Sequence, residues 1–199
     1  MISIPPPFET YLAEIADKRS HIWLEELQPC AGDHTLSIPR GEYDGTDPIK
    51  LKVIRGKAWT DVTWSCFYPL VSQSVLTALI TNSITGWRAY PTEIVNGPQP
   101  SEERFALGIT GRCSEITFDT KDPDNWVVRK NSIGILERSA KLKLDMSKWD
   151  GSDIFMSETY NRTIKCVTNR FVAIFAKSSA AGIRFVPAAE AEMFFEVVR

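Results

Sequence analysis

The chain has 199 residues, 43% of them hydrophobic, with 23 basic and 25 acidic residues for a formal charge of -2. That length and apolar content fit one generous domain or two small ones and exclude a disordered chain, and the near balance of charge leaves no global field to hold nucleic acid or anionic lipid. No apolar run approaches the roughly 20 residues that span a bilayer, and Met1 to Pro7 lack a basic segment followed by an apolar one, so a soluble, cytoplasmic protein with no membrane contact is expected. Cys30, Cys66, Cys113 and Cys166 lie far apart without a C-x-x-C pair, which fits neither a zinc knuckle nor a redox motif and leaves them as thiols in a reducing compartment. Asn161, Arg162 and Thr163 match a glycosylation sequon that has no meaning without secretion.

In chain order, Phe8, Tyr11, Leu12 and Ile15 recur at helical spacing, with Lys18 and Arg19 where the negative end of a helix dipole favours them, and predict a short amphipathic helix. Residues 28 to 48 are rich in Pro, Gly and Asp and read as loop, with room for a short strand. From Ile49 the alternation Lys50, Leu51, Lys52, Val53 predicts a strand with one wet face. The same period returns at Phe105, Leu107 and Ile109, at Ile116 and Phe118, and at Leu142, Leu144 and Met146. Turn-rich breaks fall at 96 to 100 and 119 to 125. The first is the boundary between a first repeat unit (49–100) and a strand-rich middle with a second repeat unit (101–199), and an N-terminal helix and loop segment (1–48) precedes both, together one compact domain.

The repeat is the strongest internal signal. Val71 to Pro91 aligns without a gap on Val167 to Pro187. Ser72 and Thr168 occupy helix N-cap positions, where a hydroxyl accepts from free backbone N–H groups. Val75, Leu76, Leu79 and Ile80 then match Phe171, Val172, Phe175 and Ala176 as a buried stripe. Gly86 and Gly182 sit where the chain leaves the helix and positive φ is cheap only for glycine, and an extended run to Pro91 or Pro187 follows. Each half reads helix, turn, strand, with Arg88 and Arg184 leaving the apolar face, their stems packed and their heads meeting a carboxylate at the sheet rim. The expected fold is α+β, with two related helix-turn-strand units packed on a mostly antiparallel sheet.

Candidate chemistry is sparse. Cys30 and His34 lie four residues apart in a loop beside Asp33 and admit a nucleophile-base pair, or an ordinary loop thiol and histidine. Asp150 and Asp153, like Asp122 and Asp124, lack the oxygen spacing and closing Glu of a calcium loop and read as turn-forming aspartates. Gly108 to Arg112 follows a strand but carries neither the dinucleotide fingerprint nor the P-loop lysine. Trp23, Trp59, Trp64, Trp87, Trp126 and Trp149 are many for this length and serve cores or protein interfaces. No cofactor is implied and no catalytic residue is assigned.

The segments Leu70-Val71-Ser72, Thr85 to Ile94 and Gly108 to Cys113, with Trp149 to Phe155, Val167-Thr168 and Gly182 to Pro187, resemble a family of bacterial immunity proteins that accompany polymorphic or contact-dependent toxins. Trp59 to Trp64 fits the segment before that family's first helix, and the resemblance spans about residues 50 to 190. It implies a non-catalytic protein that binds a cognate toxin stoichiometrically, with specificity on variable surface loops. Two alternatives stand beside it: a hydrolase or transferase using Cys30, His34, Asp150 or Asp153, and a scaffold module that binds a protein other than a toxin.

Overall fold

The computed structural model describes residues 9–15, 21–27, 37–65, 68–158, 164–175 and 182–198. Among them the chain is mostly strand, with two short helices, and this overturns the α+β expectation. A closed six-stranded barrel contains β2 (Trp23–Glu26), β3 (Ile49–Arg55), β4 (Val62–Ser65), β5 (Pro69–Ser72), β6 (Trp87–Asn96) and β7 (Arg104–Ile109). Its order is β2, β3, β6, β7, β5, β4, and the parallel pairs β2 with β4 and β3 with β6 close it. A five-stranded sheet follows the order β14 (Ile183–Pro187), β1 (Thr10–Ile15), β13 (Lys165–Thr168), β12 (Ile154–Ser157), β8 (Gly111–Cys113). The third sheet runs β10 (Trp126–Lys130), β11 (Leu136–Asp145), β15 (Glu192–Val198), and β9 (Glu115–Phe118) pairs the inner half of β11.

Burial explains which strands keep a period of two. In β3, Ile49 and Leu51 are buried while Lys50 is exposed, because one face lines the barrel and the other meets water. β4 and β5 are buried at every position. They form a wall between two cores: Leu70 and Ala106 point into the barrel, whereas Val71 and Leu107 point to the seam between barrel and five-stranded sheet.

The helix expected around Phe8 to Ile15 is instead β1, seated between β13 and β14 and hydrogen-bonded to both. Two long-range ladders outweigh a local helical spacing four positions long. Phe8, Lys18 and Arg19 lie outside the described residues.

Both aligned segments carry a strand, a helix and a second strand, but these are built into two different sheets rather than packed on one. In the first, β5 leads into α1 (Gln73–Thr81) and then β6; in the second, β13 leads into α2 (Asn169–Phe175) and then β14. The Ser72 hydroxyl caps α1, accepting from the Val75 N–H at 3.3 Å. Val75, Leu76 and Leu79 are buried as expected, but Ile80 is 62% exposed. Phe171 and Phe175 are buried and Val172 is partly so; Ala176 lies outside the described residues. Gly86 and Gly182 have φ of 89° and 67°. Pro91 does not end its strand: β6 continues to Asn96, and Pro91 falls where the ladder to β7 stops and that to β3 starts, so its missing N–H costs little.

The equivalence extends beyond the aligned segments. β7 lies between β5 and β6 as β1 lies between β13 and β14, in the same register: Ser72 opposes Arg104 and Trp87 opposes Ile109, while Thr168 opposes Thr10 and Ile183 opposes Ile15. β4 flanks β5 as β12 flanks β13, with Val62 on Val71 and Ile154 on Val167. Backbone bonds match as well. The Ser72 and Gln73 N–H groups donate to Asp61 and Glu103 carbonyls at 3.0 Å each, and those of Thr168 and Asn169 donate to Asp153 and Glu9 at 2.9 and 3.1 Å. The molecule therefore holds two copies of one four-stranded unit, the second completed by a strand from the start of the chain. They meet face to face in one core, where Val62, Trp64, Val71 and Val75 of the first unit join Ile154, Met156, Val167 and Phe171 at the equivalent positions of the second.

Candidate functional site

The carboxylates singled out in the sequence have separate structural duties. Asp153, 2% exposed, sits at the seam between the units. It accepts from the Thr85 N–H at 3.1 Å, the Thr85 hydroxyl at 3.3 Å, the Thr168 hydroxyl at 2.7 Å and the Arg170 guanidinium at 2.9 Å. Arg170 also donates to the Asn82 and Ser83 carbonyls, tying the end of α1 to the start of α2. Asp150 is exposed and accepts from the Ser152 and Arg112 N–H groups, both at 3.0 Å, as a turn former does. The two carboxylates are thus committed to different donors, one in the seam and one in a surface turn. Asp122 likewise accepts from the Asp124 N–H at 3.1 Å. Cys30, His34, Cys66 and Asn161 to Thr163 lie outside the described residues. Arg184 pairs with Glu14 on β1, the carboxylate partner anticipated for it, whereas Arg88 lies over the Tyr90 ring at 5.4 Å.

The chemically unusual groups are internal. Lys165 on β13 is 5% exposed, and burial pulls its amine down to about 8; the ammonium lies 5.7 Å from the Trp64 ring centre. It lines an apolar cavity of about 20 Å³ at the seam, with Trp64, Phe171 and Ile183. That volume holds about one water, too little for an organic substrate. Cys113 and Cys166 are buried free thiols. Burial pushes Cys113 up to about 12 and raises Cys166 as well, which keeps both as unreactive thiols at neutral pH.

What the molecule presents to solvent is a β-ribbon. β11 ends in the body, where Leu142 and Leu144 pack on a core with Ile116 and Phe155, and its outward start at Leu136 lies between β10 and β15. Side chains alternate across a strand, so the apolar face of Leu144, Leu142 and Ala140 continues to Arg138 and Leu136. Cross-strand pairing sets Val128 beside Arg138 and Lys130 beside Leu136 on that face. Ala140 is fully buried, whereas Leu136 is 43% and Val128 53% exposed. Arg138 stacks over Trp126 at 4.5 Å.

Asn131 organises the tip. Its side-chain oxygen accepts from the Ile133 and Ile135 N–H groups at 3.1 and 2.9 Å, and Gly134 takes φ of 87°. Ile133 is thereby held outward, 77% exposed, beside Ile135 at 40%. The sequence reading passed over this site. Its signal is the run Trp126 to Lys130, then Asn131 and Gly134 as turn formers, then Leu136, a hairpin pattern whose apolar residues find no cover.

Among the described residues no group of three or more His, Cys, Asp or Glu is placed to hold a metal ion, and no helix is long and apolar enough to cross a membrane. Neither the models of known protein families nor the curated proteins match this chain.

Proposed function

We propose that this chain is a non-catalytic immunity-type protein that neutralises a cognate bacterial toxin by stoichiometric binding. The observation that carries the reading is the outward ribbon of β10 and β11, a preorganised apolar and basic face continuous with the core yet uncovered, as a protein-binding surface requires. The resemblance to immunity proteins supports it from another side. Its segments fall on the strands, helix starts and glycine turns that join the two units, so they describe a scaffold and leave specificity to surfaces such as the ribbon.

The deciding experiment is calorimetric titration of the purified protein with the toxin-like domain encoded beside its gene, with a viability rescue in parallel. A one-to-one complex with a dissociation constant on the order of nanomolar, together with rescue, is expected. Absence of both heat and rescue would sink the reading.

A further inference from the structure

We propose that Asn96 is a site of spontaneous covalent modification, in which the Gly97 backbone nitrogen attacks the side-chain amide and leaves aspartate and isoaspartate at the rim of the barrel. The Gly97 nitrogen bonds to Asn96 Cγ while the Cγ–Nδ2 bond breaks, and the amide departs as ammonia with the Gly97 proton, closing a cyclic imide. Water then opens the ring. Addition at Cγ restores the backbone with an aspartate, and addition at the main-chain carbonyl carbon leaves the chain running through Cγ as isoaspartate. Water is the sole co-reactant, nothing is oxidised or reduced, and the step is independent of what the chain binds.

Asparagine is a labile side chain, and the surroundings of each one decide which reacts. Asn96 alone precedes a glycine, whose missing Cβ leaves the attacking nitrogen unshielded. Both residues are exposed, and among the described residues no hydrogen bond engages the Asn96 amide or the Gly97 N–H. Other candidates are held. The Asn82 amide donates to the Ala78 carbonyl at 2.8 Å, and the N–H that follows it, of Ser83, donates to Ile80 at 3.0 Å. The Asn125 amide donates to Lys141 at 2.9 Å, and the Asn131 side chain bonds to Ile133, Ile135 and Glu137. Asp150, which precedes Gly151, has its carboxylate bound by the Arg112 and Ser152 N–H groups.

Attack requires Asn96 to rotate out of its extended conformation. It is the last residue of β6, beyond a bulge at Val95, so only its rung with Lys52 has to open. That rung belongs to the β3–β6 ladder that closes the barrel. Aspartate at this position sets a carboxylate across from Lys52, which already pairs with Glu25 at 2.9 Å. Isoaspartate lengthens the backbone by a methylene beside Gly97, which rests on the barrel so closely that an added Cβ would meet Val53 Cβ at 2.7 Å. The lengthened chain lifts from Val53 and draws the Pro98 carbonyl away from the Trp59 indole N–H, to which it is bonded at 3.0 Å.

The test incubates the full chain at mildly alkaline pH beside a synthetic peptide of residues 90 to 102, then reads the digested fragments by mass spectrometry and isoaspartate by enzymatic carboxyl methylation. Exchange of amide for carboxyl is expected at residue 96 before any other asparagine, with isoaspartate among the products and a rate that rises with pH as the Gly97 nitrogen loses its proton. It should run slower than in the free peptide, because a ladder rung has to open first. Asn96→Gln, an uncharged change at an exposed position, should abolish the signal without moving the melt. The separated isoaspartate form should exchange the amides of Lys52 to Arg55 faster than the parent. An intact Asn96 after the free peptide has fully converted, or earlier conversion of another asparagine, would overturn the proposal. So would a product that persists in Asn96→Gln, or an isoaspartate form whose β3 amides exchange no faster than the parent's.

Discussion

Asp153 has the most to lose of any single side chain. Removing its carboxylate takes the acceptor from the buried Thr168 hydroxyl and from the Thr85 N–H and leaves Arg170 without its carboxylate, so Asp153→Ala is expected to cost about 3 kcal/mol in denaturant unfolding. Arg170→Ala should cost only about 1 kcal/mol, because that side chain is 47% exposed and water screens the pair. A reversed order would contradict the account of the seam. Lys165 acts in the opposite direction. The unfolded chain keeps its proton up to the ordinary value of 10.5 and the folded protein only up to about 8, so between these pH values the unfolded state holds more protons and stability rises with pH. The rise from pH 8 to 10.5 should reach about 3 kcal/mol in the native protein and vanish in Lys165→Met, which also removes the cost of a buried ammonium at neutral pH. Paired urea melts of the two proteins across that range check both statements.

At the scale of elements, the glycine turns clasp the units together reciprocally. A Cβ on Gly86 would collide with the Ile154 carbonyl of the second unit, and one on Gly182 with the Val62 carbonyl of the first. Gly151 has a similar φ of 84° but open space around it. Gly151→Ala should therefore cost about 1 kcal/mol through the backbone alone, and Gly86→Ala or Gly182→Ala at least about 3 kcal/mol, as thermal or denaturant melts will register. These turns, α1 and the Ser72 cap were legible in the sequence because their causes are local: a hydroxyl at the cap, a stripe, a residue without Cβ. The barrel was not, since its closing pairs join Trp23 to Trp64 and Ile49 to Thr92, and nothing local encodes a parallel ladder across such gaps. β1 was misread for the same reason. Enclosed by strands from the far end of the chain, it shows no clean alternation, and its apolar spacing mimics a helix. Of the candidate binding face, only the inner positions Leu142 and Leu144 were seen as strand. The outer ones escaped because a search for core and catalytic residues discounts exposed isoleucines.

At the scale of the whole molecule, two equivalent four-stranded units meet at the seam, one continuous in the chain and one not. Strands β4 to β7 span residues 62 to 109 without a break, whereas their counterparts need β1 in addition to residues 154 to 187. Deleting residues 1 to 15 should accordingly be selective. Amide exchange is expected to quicken on β13 and β14, which lose their shared neighbour, while the barrel strands β5, β6 and β7 keep most of their protection. Uniform loss of protection would show instead that the seam makes both units one cooperative body. The same arrangement puts constraints on birth at the ribosome. β1 leaves the ribosome about 150 residues ahead of its partners β13 and β14, so at a few to twenty residues per second it waits on the order of ten seconds or more for them. During that interval the first unit can close around its own β7, and the waiting strand must neither invade the equivalent slot nor aggregate. Arg104 of β7, buried at the position that Thr10 holds in β1, makes the two strands unlike enough at that register to keep each in its own place.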